Sequence, residues 1–211
     1  MARVYCFIGA PGAGKGTRWS EYEATTDILY NNLSVGNLLR KNVAEQTPLG
    51  KAAKSYMDSG ALVPDDIINN IVIDDIKNSS TPVVLDGFPR TVGQAQAMLE
   101  AGINPIVIYF YVDDVVVIKR AANRLVCKCG ETYTTDAFKP PIVAGICDKC
   151  GGQLGRRADD APEVVRKRLE VYRSETLPVL DVFRHHNVTI HEVNNNNAIE
   201  ARRQFAAIMN K

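Results

Sequence analysis

No unbroken apolar run in this 211-residue chain approaches the roughly 20 residues that a helix needs to cross a bilayer. A helical membrane protein is therefore not expected. Net charge is also missing. With 25 basic residues against 24 acidic ones, no whole-molecule field recruits nucleic acid or a membrane surface. Any anionic partner must be held by local arginines. The opening stretch, "MARVYCFIGAPGAG", is too short in apolar residues for a signal peptide and turns to glycine early. The expected location is the cytoplasm, a reducing compartment where clustered cysteines ligate metal or do chemistry more often than they pair as disulfides. No internal repeat is present. Histidine is scarce, and His185 and His186 have no cysteine or carboxylate at metal-ligating spacing, so both read as surface residues.

What the chain does have is enough apolar residue, 45%, to bury a sizeable core. Strand-length apolar runs lie at 4–8, weakly at 28–33, and at 83–85, 106–112 and 188–193. Helical periodicity begins at Asp65, Thr91, Asp113 and Ala161. In the last of these Pro162 sits in the first turn, where its missing N–H costs nothing, and Pro178 is expected to bend the helix. Strands alternating with helices predict an α/β fold, a parallel sheet covered on both faces. Two segments break the alternation. Residues 34–63 read as helices without a strand, and 126–158 are rich in Gly, Pro and Cys. The "NNNN" at 194–197 reads as a polar turn, and Cys6, inside the first strand, as core.

The first strand runs directly into "GAPGAGKGT". Glycines at 9, 12 and 14 let backbone N–H groups turn inward around phosphate oxygens, Lys15 reaches the terminal phosphates, and the helix that follows adds its dipole. A nucleoside triphosphate is the expected guest. Gly16 stands where Ser or Thr usually touches magnesium, and Thr17 follows one place later. A second anchor, "VVLDGFPRT", ends a buried strand in Asp86, a position suited to holding a magnesium shell. Cysteines fall at 127, 129, 147 and 150, and the spacing alone leaves metal site, disulfides and neither all open.

In order and spacing, "GAPGAGKGT", "DGFPRT" with Gln94 four residues past Arg90, "RRADD" at 156–160 and "VRKRLEVY" at 165–172 resemble the adenylate kinase family, in its long bacterial type. The resemblance covers essentially the whole chain. It implies the P-loop nucleoside monophosphate kinase fold, a five-stranded parallel sheet with two mobile insertions. The core would be 1–33, 64–122 and 161–211, the AMP-binding flap 34–63 and the lid 123–160. The implied activity is reversible transfer of the terminal phosphoryl of Mg-ATP to AMP, giving two ADP, by a monomer.

Carried over motif by motif, Gly12, Ala13, Gly14, Lys15, Gly16 and Thr17 resemble the ATP loop, with Arg120 on the ATP base and Asn196 as a backbone contact to it. Val35, Arg40, Val63, Gly87, Arg90 and Gln94 resemble the AMP site. Arg124, Arg157 and Arg168 resemble the residues on the transferring phosphates, the last two also serving AMP. Thr17 and Asp86 would carry magnesium. Transfer to a phosphate oxygen needs alignment and charge neutralisation more than a strong base, so an arginine-rich site is expected on chemical grounds as well. Asp159 and Asp160 could cap a helix or orient lid arginines.

Several positions depart from the family's pattern. "SVGN" stands where "STGD" is common, so Val35 lacks a hydroxyl and Asn37 a carboxylate. Ala61 replaces a basic residue, and "NNNN" the usual Asp-Gly turn. Many lids of the family hold structural zinc, which implies Cys127, Cys129, Cys147 and Cys150 as its ligands; here the first pair encloses only Lys128, one residue fewer than usual. Alternatives are a kinase for UMP or CMP, a slow ATP-hydrolysing switch, and a zinc-ribbon nucleic-acid binder using Lys128, Lys139, Lys149, Tyr133 and Phe138.

Overall fold

The computed structural model describes residues 2–136 and 139–210, so Phe138 lies outside the described residues. In chain order, β1 (Val4–Gly9) leads into α1 (Lys15–Glu23), β2 (Asn31–Ser34), α2 (Val35–Ala44), α3 (Pro48–Ser59), α4 (Asp65–Asn78), β3 (Val83–Asp86), α5 (Val92–Glu100), β4 (Ile106–Tyr111) and α6 (Asp114–Asn123). Three short strands follow, β5 (Arg124–Cys127), β6 (Thr132–Thr134) and β7 (Leu154–Gly155). The chain finishes with α7 (Pro162–Val171), a π-helical turn (Tyr172–Thr176), α8 (Val179–His185), β8 (Ile190–Asn194) and α9 (Ala198–Met209).

The large sheet has the order β2-β3-β1-β4-β8, every pair parallel. Its central strand β1 places Cys6 opposite Leu85 on one side and Val107 on the other. All six β1 residues are buried, as a strand covered on both faces requires. Alternation then divides the core. Val4, Cys6 and Ile8 face a cluster with α4, α5 and α8, whereas Tyr5 and Phe7 face one with α1, α6, α7 and α9. Cys6 is plain core, and burial pushes its thiol pKa up.

Local chemistry sets the helix starts. Thr47 caps α3 and Thr91 caps α5, each accepting a bond from a backbone N–H three residues on. Pro162 opens α7 as expected.

Two expectations need correcting. The strand expected at 28–33 begins at Asn31, because Ile28 and Leu29 are 54% and 75% exposed and pair with nothing in the sheet. The last strand begins at Ile190, two residues late. The long helix is interrupted at Pro178, which serves as the N-cap of α8, directly after a π-helical turn in which the Leu177 N–H bonds back five residues to the Tyr172 carbonyl. Segment 126–158, which has no helical period, carries most of a separate antiparallel sheet in the order β6-β5-β7. His185 and His186 are exposed.

Candidate active site

The loop after β1 ends in Gly12 and Gly14 at φ 80° and 84°, a left-handed conformation that side chains rarely adopt. Gly14 is the N-cap of α1, so the helix's free N–H groups open onto the loop. Lys15 donates from Nζ to the Gly9 and Ala10 carbonyls at 2.9 and 3.1 Å. Its pKa is pushed down to about 8, chiefly by burial; Asp86 opposes the shift, and Arg90, Arg168 and Arg124 add to it. Asp86, at the end of β3, lies close enough that a Cβ on Gly16 would stand 3.6 Å from its Oδ2. Thr17, the next residue, and Asp86 both line the cleft, with the oxygen donors a hard divalent cation accepts.

The cleft above this loop, about 650 Å³, is lined by Lys15, Arg40, Arg90, Arg120, Arg124, Arg157 and Arg168. Acidic side chains engage three of these. Arg168 Nη1 donates to Asp159 Oδ2 at 2.6 Å, the same oxygen lies 4.0 Å from Arg40, and Arg124 grips Asp160 through both Nε and Nη2. Burial alone would raise the Asp159 pKa, but Arg168 and Arg40 outweigh it and hold it below the usual carboxylate range. Ala161 occupies the N-cap of α7, so the Asp159–Asp160 pair orients arginines rather than capping that helix. Arg90 and Arg157 are each lowered to about 10, first by burial and then by neighbouring arginines. A cleft that depresses its own cations in this way favours a polyanionic guest.

Arg90 is braced from three directions. Its Nε donates to the Gly87 carbonyl at 2.9 Å, its N–H to Gln94 Oε1 at 2.7 Å, and its carbonyl accepts from Thr176 Oγ1 at 2.8 Å. Gly87 suits this position because its φ of 88° is left-handed, and a Cβ there would also crowd Arg90 Nη2 at 2.5 Å. Gln94 is buried and also donates to Asp65 Oδ1 at 2.8 Å. It faces the cleft with Val35, Val63 and Ala61, so the residues matched to an AMP pocket do converge. Asn37 accepts from Arg40 Nη2 at 2.6 Å.

Asn196 is exposed and its side chain accepts from the Asp113 N–H, while its neighbour Asn195 is buried and lines the cleft. Ala13 keeps its loop position, but its side chain packs into the core away from the cleft. Thr176 and Asn195 were not legible as site residues, because their contacts are made by folding and leave no local pattern.

Beside the small antiparallel sheet the four cysteine sulfurs all lie within 4.8 Å of one another, and Cys129 also lines the cleft. Cys127 and Cys150 are 3.4 Å apart, Cys129 and Cys147 3.7 Å, and none is in a disulfide. Tetrahedral thiolates at zinc–sulfur bonds of ~2.3 Å stand about 3.8 Å apart, so the donor set fits zinc. The single residue between Cys127 and Cys129 is absorbed by a tight turn, closed by Gly130 N–H to the Cys127 carbonyl at 3.0 Å, with Gly130 at φ 94°.

Cations massed on one cleft above a glycine loop suit the movement of a phosphoryl group, and the strand, loop and helix around Lys15 place the molecule among the P-loop phosphotransferases. Comparison narrows the class. Residues 7–188 match the family model for adenylate kinase. The adenylate kinase of Caldicellulosiruptor saccharolyticus is 43% identical over 195 residues, 87% of each chain. That of Clostridioides difficile is 43% identical over 184 residues, 83% of this chain and 84% of its own. That of Geobacter sulfurreducens is 43% identical over 181 residues, 82% of each. The chain belongs to the adenylate kinase family.

Proposed function

We propose that the protein transfers the terminal phosphoryl of ATP to AMP, reversibly, giving two ADP. The observation that carries this reading is the single cleft in which the Lys15 loop and the Arg90–Gln94 pocket face each other across Arg124, Arg157 and Arg168. A donor on the loop and an acceptor in the pocket would meet with their phosphates among these arginines. The chain's part is to align the two, neutralise the crowded charge and exclude water; the attacking phosphate oxygen is already an anion. Thr17 and Asp86 would hold magnesium, which would further neutralise the donor phosphates.

On this reading residues 34–63 form the AMP-binding flap, 123–160 the lid, and the remainder the core. Asp159, in the lid on this reading, joins Arg40 of the flap to Arg168 of the core. Zinc on Cys127, Cys129, Cys147 and Cys150 would be structural, with four protein ligands and no open position for chemistry. The enzyme is read as a cytoplasmic monomer acting on free nucleotides.

A panel of monophosphates tests the assignment: with Mg-ATP, AMP should be used far better than UMP, CMP or GMP, and preference for another base would overturn it. Val35 is buried beside this pocket and cannot donate a hydrogen bond. Val35→Thr should therefore sharpen the preference for AMP by a few-fold, the worth of about one neutral hydrogen bond. Unchanged selectivity would remove Val35 from base recognition.

A further inference from the structure

The turn after β8 reaches the phosphate loop through one side chain. Asn195 is 1% exposed, and its Nδ2 donates to the Ala13 carbonyl at 2.5 Å. Its own backbone is fixed on both sides: the N–H donates to the Tyr111 carbonyl at 2.9 Å, and the carbonyl accepts from Arg120 Nη2 at 2.7 Å. Asn195 Oδ1 and Arg120 Nη1 are buried without a protein partner, a cost that points to a role beyond packing. Gly14 is fitted to this contact, since a Cβ there would lie 2.5 Å from Asn195 Nδ2.

We infer that Asn195 is a positioning residue for ATP, whose side-chain amide holds the Ala13 carbonyl and so aims the Gly14 N–H into the phosphate cradle. A trans peptide is planar, with its C=O and the following N–H pointing opposite ways. Drawing the Ala13 carbonyl outward toward Asn195 therefore turns the Gly14 N–H inward. The same residue receives Arg120, so the loop that holds phosphates and the arginine beside it share one anchor. The inference rests on the ATP site proposed above, and it concerns a side chain at a turn where the family pattern expects Asp-Gly.

Asn195→Ala removes the donor without adding charge, and Asn195→Asp keeps the shape while replacing the donor with an acceptor. Both should raise KM for ATP about five- to tenfold, the range set by losing one neutral hydrogen bond, and leave KM for AMP within about twofold. In the nucleotide-free protein, both should shift the Gly14 amide 1H–15N resonance, and with Asn195→Ala, which buries no charge, the melting temperature should fall by no more than about 4 °C. An unchanged KM for ATP, an effect of Asn195→Asp alone, or equal loss for ATP and AMP with the Gly14 resonance unmoved would each overturn the inference. Wild-type protein that fails to phosphorylate AMP would refute the activity reading instead, and the Gly14 resonance would still test the contact.

Discussion

Between β1 and α9, Phe7 meets Phe110 and Phe205 edge-on with ring centroids 5.6 and 5.4 Å away, inside a cluster that also buries Trp19, Tyr22, Ile108 and Met209. Within the β6-β5-β7 sheet, the buried cluster is Cys127, Tyr133 and Cys147, with Leu125 and Leu154 partly covered. Each large apolar side chain buried in the first region contributes about 1.5–3 kcal/mol, and there are many. The second region has too few to offset the entropy of ordering its loops. Its order must come from directed bonds: the Lys139–Glu131 pair at 2.6 Å, the Asp148 N–H to the Tyr133 hydroxyl at 2.9 Å, and the four thiols. Two parts of one molecule, both lining the same cleft, are thus stabilised by different physics and should fail in different ways.

The sharpest contrast should come from Phe205→Ala, which empties a fully buried site in the large core and should destabilise the whole protein by about 3–5 kcal/mol in denaturant melts. If the loss is instead confined to the small sheet by hydrogen exchange, the division is wrong. Lys15→Met should leave both regions folded yet lower turnover by about 10²–10³-fold, because it removes charge neutralisation at the transferring phosphates. Unchanged turnover in a folded variant would remove the loop from the chemistry.

Chelation, or Cys147→Ser and Cys129→Ser alike, should open residues 124–155 to hydrogen exchange while β1, β3 and β4 stay protected, with a smaller loss of activity at low temperature. Purified protein should carry one zinc per chain. Equal protection with and without chelator would show that hydrogen bonds alone hold the sheet. The smallest effect concerns pH. With the free-enzyme Lys15 near 8, the cation is present below that value and lost above it, so kcat/KM for ATP should fall on an alkaline limb near pH 8. Metal-stripped protein should show the same limb, since Lys15 belongs to the core loop.

The features legible in the sequence were those whose chemistry is local. The phosphate loop is a run of adjacent residues, and Arg90 lies just before α5 with Gln94 in its first turn, so spacing alone carries the geometry. The exposed Ile28 and Leu29 misled because an apolar residue counts toward a strand whether or not a neighbour covers it. Asn195 and Thr176 were invisible for the opposite reason. Their partners, Ala13 and Arg90, lie 182 and 86 residues away. The four cysteines could be counted but not paired, since only the turn at Gly130 shows how a one-residue gap lets both thiols reach the same point.

The π-helical turn at Tyr172–Thr176 joins two helices that serve opposite faces of the sheet. Val165 and Leu169 of α7 pack with Phe7, whereas Val179, Leu180 and Phe183 of α8 pack with Cys6. The apolar positions nevertheless recur at an unbroken helical spacing, which in a straight rod would form one stripe. One additional residue in the turn offsets the phase by about 100°, so a single stripe is wrung to address both layers in succession. The segment therefore behaves as a screw thread with one built-in offset. Deleting one residue from 172–176 would unwind it and send Phe183 toward solvent, whereas the exposed stretch around Leu29 could gain or lose a residue with little consequence.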